Sequence, residues 1–277
     1  MYATSNHWPL SKLVACAVPR NAKLTLENLM AIPKIIHYCW FGGRENQPKL
    51  VRDCIATWSK LDDYQICEWN ESNFDPGPNT YFKQMLDARR YAFASDIARL
   101  VCLYRMGGIY LDCDLEVKKK WPESVLQYQA FLPFMFDCTL SLTALGSEPQ
   151  SPLIAKLLKL YDDIDDFNSP INNIFTTFFL DEFPEFRLNN KFQILRGNVA
   201  IYPKEYWDCP TNDPDMGYTV NHALGSWFRK KNSIRSYLRT GTKRLVGDVI
   251  YSKISRYRGL RASPYYQTYL DHKKNDR

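Results

Sequence analysis

Four charged residues raise the question of chemistry. Asp112 and Asp114 stand one residue apart in RMGGIYLDCDLE, and Asp96 and Arg99 stand three apart in RRYAFASDIARLVCLYRM. Acidic residues normally avoid strand interiors, yet GGIYLDCDLE alternates with a period of two. Ile109, Leu111, Cys113 and Leu115 fall on one side of such a strand, and Tyr110, Asp112, Asp114 and Glu116 on the other. Two carboxylates presented together repel, and one tends to protonate unless a cation neutralises them. Mg2+ and Mn2+ bind through oxygen and often share one or two carboxylates with substrate phosphates. The pattern suits chemistry on a diphosphate leaving group. Taken alone, two aspartates so spaced are more often solvated strand-end residues. What sets this pair apart is the helix that runs directly into it.

That helix places Phe93, Ile97, Leu100, Val101 and Tyr104 at helical spacing, and alanine, cysteine and leucine make most of its remaining surface apolar. A helix apolar nearly all round is buried. Asp96 and Arg99 lie three apart within it and hence on one face. They form either a structural ion pair or a pair in which Asp96 accepts hydrogen bonds from sugar hydroxyls while Arg99 holds it and meets phosphate or sugar oxygens. Gly107 is placed to cap the helix.

Upstream, Ile32–Trp40 is a nearly unbroken apolar run ending in Gly42-Gly43, as expected of a strand covered on both faces. Trp40 falls at its carboxyl end, where open α/β sheets gather their ligands; it either stacks on a base or packs in the core. His37, inside the run, reads as a core residue. A helix over 48–60, a strand at Tyr64–Trp69 and a loop at Pro76–Asn79 continue an α/β pattern with parallel pairing. Strand and turn follow over 131–147, a helix over 151–166 and another strand and turn over Ile194–Trp207. His222 precedes Ser226-Trp227 and is a candidate third metal ligand or a structural histidine.

Composition bounds the rest. The 277 residues are 45% hydrophobic and 14% aromatic, enough for a sizeable core. No apolar run is long enough to span a bilayer, and no secretory signal is evident, so the expected location is cytoplasmic. The eight cysteines form no CxxC pair and are expected to be reduced. The net charge of +6 is uneven: residues 228–277 carry 14 Lys/Arg against 3 Asp/Glu. Three segments follow: a poorly packed extension over 1–29, with Met30 a plausible start; a body over 30–227; and a basic helical tail over 228–277.

IPKIIHYCWFGG, ASDIARLVCLYRMGGIYLDCDLE, IYPKEYW and HALGSW occur in this order over Ile32–Trp227. Together they resemble glycosyltransferase family 32, the DXD-containing sugar transferases of capsule and lipopolysaccharide synthesis. The middle segment is also similar to the glucosylating domain of the large clostridial toxins. The resemblance implies a GT-A type, Rossmann-like nucleotide-sugar-binding domain with a mostly parallel central sheet, a nucleotide-sugar donor, Mn2+ or Mg2+, and retention of anomeric configuration. It implies that Trp40 stacks on the base, Asp96 and Arg99 bind the donor sugar, and Tyr110 and Asp112 lie along the ribose and sugar. It further implies that Asp114 binds the metal, with Asp112 and His222 as further ligands, and that Ser226 and Trp227 close over the pyrophosphate. No second carboxylate is an obvious covalent nucleophile, so a front-face displacement is expected, with Glu116 as the fallback.

The tail spaces Ile234, Leu238, Leu245, Val249, Ile254 and Tyr257 among its basic residues. It reads as a helix lying on an anionic membrane at the inner leaflet, where the acceptor is a glycan or lipid-linked oligosaccharide, or as a solvated helix packed on the body. No nucleic-acid module accompanies the charge. Two other functions fit less well. A DxD phosphohydrolase wants Thr where Glu116 stands, and a non-catalytic sugar-nucleotide-binding protein has no need of the intact charged set.

Overall fold

The computed structural model describes residues 31–77, 79–162, 170–223 and 247–275. The expected extension over 1–29, Met30, Ser226, Trp227 and the start of the basic tail lie outside them.

The first strand, β1 (Ile35–Cys39), is buried along its whole length. Its side chains alternate between two cores: Ile35 and Cys39 enter one, Ile36 and Tyr38 the other. It pairs in parallel with β2 (Gln65–Trp69) and β3 (Gly108–Leu111). β7 (Ala144–Ser147) runs antiparallel to β3 and to β5 (Ala130–Phe136). β9 (Val199–Tyr202) lies parallel to β5, and β8 (Gln193–Leu195) closes the edge antiparallel to β9. The short β6 (Thr139–Leu140) hangs from β5. The order is β2-β1-β3-β7-β5-β9-β8. This is an α/β fold with one large sheet, covered on both faces, whose inner strands β1, β3, β5 and β9 run the same way and β7 runs against them.

One face carries α2 (Thr80–Asp87), α3 (Tyr91–Met106), α4 (Pro152–Lys159) and α5 (Ile171–Glu182), which supply much of the larger core. The other is covered by α1 (Lys49–Ala56), α6 (Lys204–Trp207) and an aromatic cluster in which Phe131 stacks on Trp207 at 4.7 Å. The expected helix over 151–166 is shorter: α4 gives way to a tight turn at Leu160–Asp162.

The main correction concerns GGIYLDCDLE. The alternation holds in its apolar members, since Ile109, Leu111 and Leu115 enter one core and Tyr110 the other. The strand, however, stops at Leu111. The Asp112 amide donates to the Thr143 carbonyl at 2.8 Å, and the Leu115 amide donates to the Asp112 carbonyl at 3.0 Å. Asp112–Asp114 thus form a turn. The chain resumes as β4 (Leu115–Val117), which pairs antiparallel with β10 (Thr219–Asn221) in a separate small sheet. The aspartates are carried on a bend at the strand's carboxyl end, which spares the ladder two charged residues.

The junction before β3 is just as tight. Gly107, at φ 64°, caps α3 by donating to the Leu103 carbonyl. His37 ties this junction to the sheet. Its Nε2 lies 2.8 Å from the Gly107 carbonyl, and its Nδ1 accepts from the Trp69 indole at 3.0 Å. His37 is therefore the satisfied core residue expected, with Nε2 carrying the proton. Burial pushes its pKa down to about 4, against the opposing pull of the Gly107 bond.

The described part of the tail does not stand apart from the body. α7 (Asp248–Ala262) and α8 (Tyr266–Asn275) bury Leu260 and Tyr269 in the larger core. Tyr265 donates to the Asn173 carbonyl, and His272 Nδ1 accepts from the Leu188 amide. The boundary expected at residue 227 therefore marks a change of charge, and the helices beyond it dock on the fold. Among the described residues no cysteine is joined to another in a disulfide.

Candidate active site

β1, β3, β5 and β9 point the same way, so their carboxyl ends and the amino end of β7 share one edge of the sheet. Of the residues singled out by sequence, Asp96, Arg99, Tyr110 and Asp112 meet there. α3 delivers Asp96 and Arg99, both nearly fully buried. Arg99 Nη2 lies 2.8 Å from Asp96 and 3.4 Å from Asp112, and Nη1 donates to the Leu142 carbonyl at 2.8 Å. The guanidinium stands 4.6 Å over the Tyr110 ring, a cation–π contact. One arginine therefore joins the helix, the strand and the turn that bears the acids.

Arg99 is outnumbered by the acids it serves. Burial pushes Asp96 up to about 7, with Arg99 opposing and Asp112 adding to the rise. Burial likewise pushes Asp112 up to about 6, Arg99 opposing and the Asp114 charge adding to it. Arg99 itself is held above its usual range: burial disfavours its charge, and Tyr110, Asp112 and Asp96 more than compensate. Asp112 is 26% exposed while Asp96 is 6% exposed in its side chain. Asp112 and Asp114 thus form the open lip of the site. Asp96, Arg99 and Tyr110 are its floor. Tyr110, at 2% exposure, acts by supporting Arg99 and by hydrogen-bonding Asp112.

Trp40 sits half-buried just past β1. Its indole donates to the Gly43 carbonyl at 2.8 Å, and its amide to the Trp69 carbonyl. His222 follows β10; its amide donates to the Asp114 carbonyl at 3.1 Å, and its Nε2 lies 3.0 Å from Glu116. Its ring thus meets Glu116, two residues beyond the expected metal carboxylates. Among the described residues, no group of three or more His, Cys, Asp or Glu is gathered to hold a metal ion. Asp112 and Asp114 are two carboxylates on one turn. That donor set fits a Mg2+ or Mn2+ ion completed by substrate phosphate and water. Burial would raise Glu116, but hydrogen bonds from Lys118 and His222 hold it below its ordinary value.

Three residues escaped sequence reasoning. Asp208, fully buried after α6, accepts from Asn221 Nδ2 at 3.0 Å and Thr143 Oγ1 at 3.4 Å. Arg256 of α7 pairs with its carboxylate and donates to its carbonyl. Thr143 in turn supplies the carbonyl that holds the Asp112 amide. The signal was an acid closing the aromatic stretch IYPKEYWD, a place where an unpaired carboxylate is costly.

The acidic lip lies at the carboxyl edge of this sheet, and comparison with known proteins identifies an enzyme, a glycosyltransferase. A family model described as a capsular polysaccharide synthesis protein matches residues 20–141. The chain is 28% identical over 215 residues to an uncharacterized glycosyltransferase of Acanthamoeba polyphaga mimivirus, covering 71% of this chain and 84% of that one. Among solved structures it is similar to the PaToxG glycosyltransferase, at 22% identity and TM-score 0.46, over 55% of this chain and 70% of that one. It is also similar to a glycosyltransferase involved in glycosylation of the major capsid of PBCV-1, at 12% identity and TM-score 0.39, over 70% of this chain and 96% of that one.

Proposed function

We propose that the protein moves a sugar from a nucleotide-diphosphate donor to a glycan acceptor, with retention, in the synthesis of capsular polysaccharide or lipopolysaccharide. The observation that carries this reading is the Asp96–Arg99–Asp112 cluster at the carboxyl ends of parallel strands β1 and β3. The family match over residues 20–141 supports the capsular setting.

Trp40 stacks on the base beside the β1 terminus. Asp96 accepts hydrogen bonds from hydroxyls of the donor sugar, and Arg99 fixes the carboxylates of Asp96 and Asp112 relative to each other. Asp114, with Asp112, would hold Mn2+ or Mg2+, which when bound neutralises charge developing on the leaving diphosphate. His222 orients Glu116 in this reading, although it stays a candidate ligand; Ser226 and Trp227 would close over the diphosphate. The engagement of Glu116 by Lys118 and His222 favours a front-face displacement over attack by a carboxylate. The acceptor is a glycan or lipid-linked oligosaccharide.

The test is a panel of nucleotide-sugars with Mn2+, scoring donor hydrolysis. One donor should be hydrolysed, and Asp114→Asn should abolish the reaction with little loss of fold stability, because that side chain is partly exposed. Donor binding without turnover would point to a binding protein. An active Asp114→Asn variant would remove the metal role.

A further inference from the structure

α7 docks by one face and leaves the opposite one open. Arg256 reaches Asp208 and the Met135 carbonyl, and Leu260 is 8% exposed. Gly259 lies so near Phe136 that a Cβ there would fall 2.4 Å from the ring. Ile250, Ile254 and Tyr257 point away and are 56%, 45% and 59% exposed. Four and then three residues apart, they form one stripe along the helix. Lys253 and Arg258, both exposed, flank the stripe on either side, and Arg261 extends it by a turn, its guanidinium 5.3 Å from the Tyr266 ring. From Val249 to Leu270 the sequence holds four Lys/Arg and no acid. Arg256 is neutralised by Asp208, which leaves Lys253, Arg258 and Arg261 on the outside.

We propose that this outer face of α7 seats the protein on an anionic lipid surface. Two isoleucines and a tyrosine can enter the boundary between headgroups and acyl chains, while flanking Lys and Arg extend their charge to the headgroups. A nucleic acid would use the cations and leave the isoleucines in water. A stable protein partner needs roughly 800 Å² per side, more than three side chains supply. No helix among the described residues is long and apolar enough to cross a membrane, so the contact is one of lying on the surface.

The placement has a consequence that rests on the transferase reading. The inner face of the same helix reaches the active site through Arg256 and Asp208. Bilayer and site are then separated by about one helix diameter, roughly 10 Å, which suits a lipid-linked acceptor.

The experiment is co-sedimentation of the full chain with vesicles of equal parts phosphatidylcholine and phosphatidylglycerol, and with phosphatidylcholine alone. Binding should require phosphatidylglycerol and weaken with salt. Lys253→Gln with Arg258→Gln should weaken partitioning roughly 30-fold, about five-fold for each charge lost near an anionic surface. Ile250→Glu with Ile254→Glu should abolish it. All four positions are exposed and outside the active site, so hydrolysis of a soluble donor should be unchanged. Equal binding by wild type and variants, or none to either vesicle, overturns the proposal. So does a dimer in sedimentation velocity that the isoleucine variant dissolves, which would make a second copy the occupant. Vesicle binding by a protein inert towards every donor would instead sink the transferase reading and leave this one standing.

Discussion

At the scale of single residues, Arg99 decides the site. It is the counter-charge to Asp96 and Asp112 at once, and its own position is set by the Leu142 carbonyl and the Tyr110 ring. Arg99→Met would leave Asp96 buried without its partner, a change that typically costs about 3–5 kcal/mol. Urea denaturation should register that loss. Asp112→Asn, which leaves the Asp96–Arg99 pair in place, should cost far less. The sequence showed the pair through its spacing of three, and the resemblance gave it a role. It did not show that Arg99 also holds Asp112, because that contact depends on where the strand ends.

At the scale of elements, the helix–turn–strand unit from Tyr91 to Val117 carries the site. Its course was legible: the buried helix, the glycine cap and the apolar strand all lie where periodicity puts them. The break after Leu111 was not, because the residues continue to alternate through it. The Asp112 amide makes the last rung to the Thr143 carbonyl, and the Leu115 amide then turns back to the Asp112 carbonyl. Gly108 shows how closely the unit is fitted. At φ 103°, a Cβ there would fall 2.6 Å from the Ile35 carbonyl oxygen. Gly108→Ala should therefore lower stability by about 1–3 kcal/mol through strain and forced displacement of β1. A thermal melt is the measurement, and activity per folded molecule should fall with it as the acidic turn shifts.

At the scale of the whole molecule, the C-terminal helices are braces for the sheet. The charge run left open a helix on a membrane or one packed on the body, since composition reports solubility and partners more readily than docking. Arg256 is the residue that composition misfiled: one of many basic residues in the tail, it ends in a buried pair with Asp208. Arg256→Met should cost about 3–5 kcal/mol by stranding that carboxylate. The double variant Arg256→Met with Asp208→Asn should recover much of the loss. A chemical-denaturation double-mutant cycle would read the coupling, and strictly additive losses would mean that the pair bears no joint load.

The His37 bridge between Trp69 and Gly107 makes the protein carry its own acid gauge. With Nδ1 accepting and Nε2 donating, the ring has no room for a second proton. A proton on Nδ1 would face the Trp69 N–H head-on. The folded pKa of about 4 lies below the ordinary value of 6.5, so the folded state resists protonation that the unfolded chain accepts. The stability this represents is complete above pH 6.5 and drains away as pH falls towards 4. Below that, the stacked His37–Trp69 rings, 6.0 Å apart, must part. Tryptophan emission should step near pH 4 in the wild type and lose the step in His37→Gln, turning a buried rivet into an optical readout of the sheet's integrity.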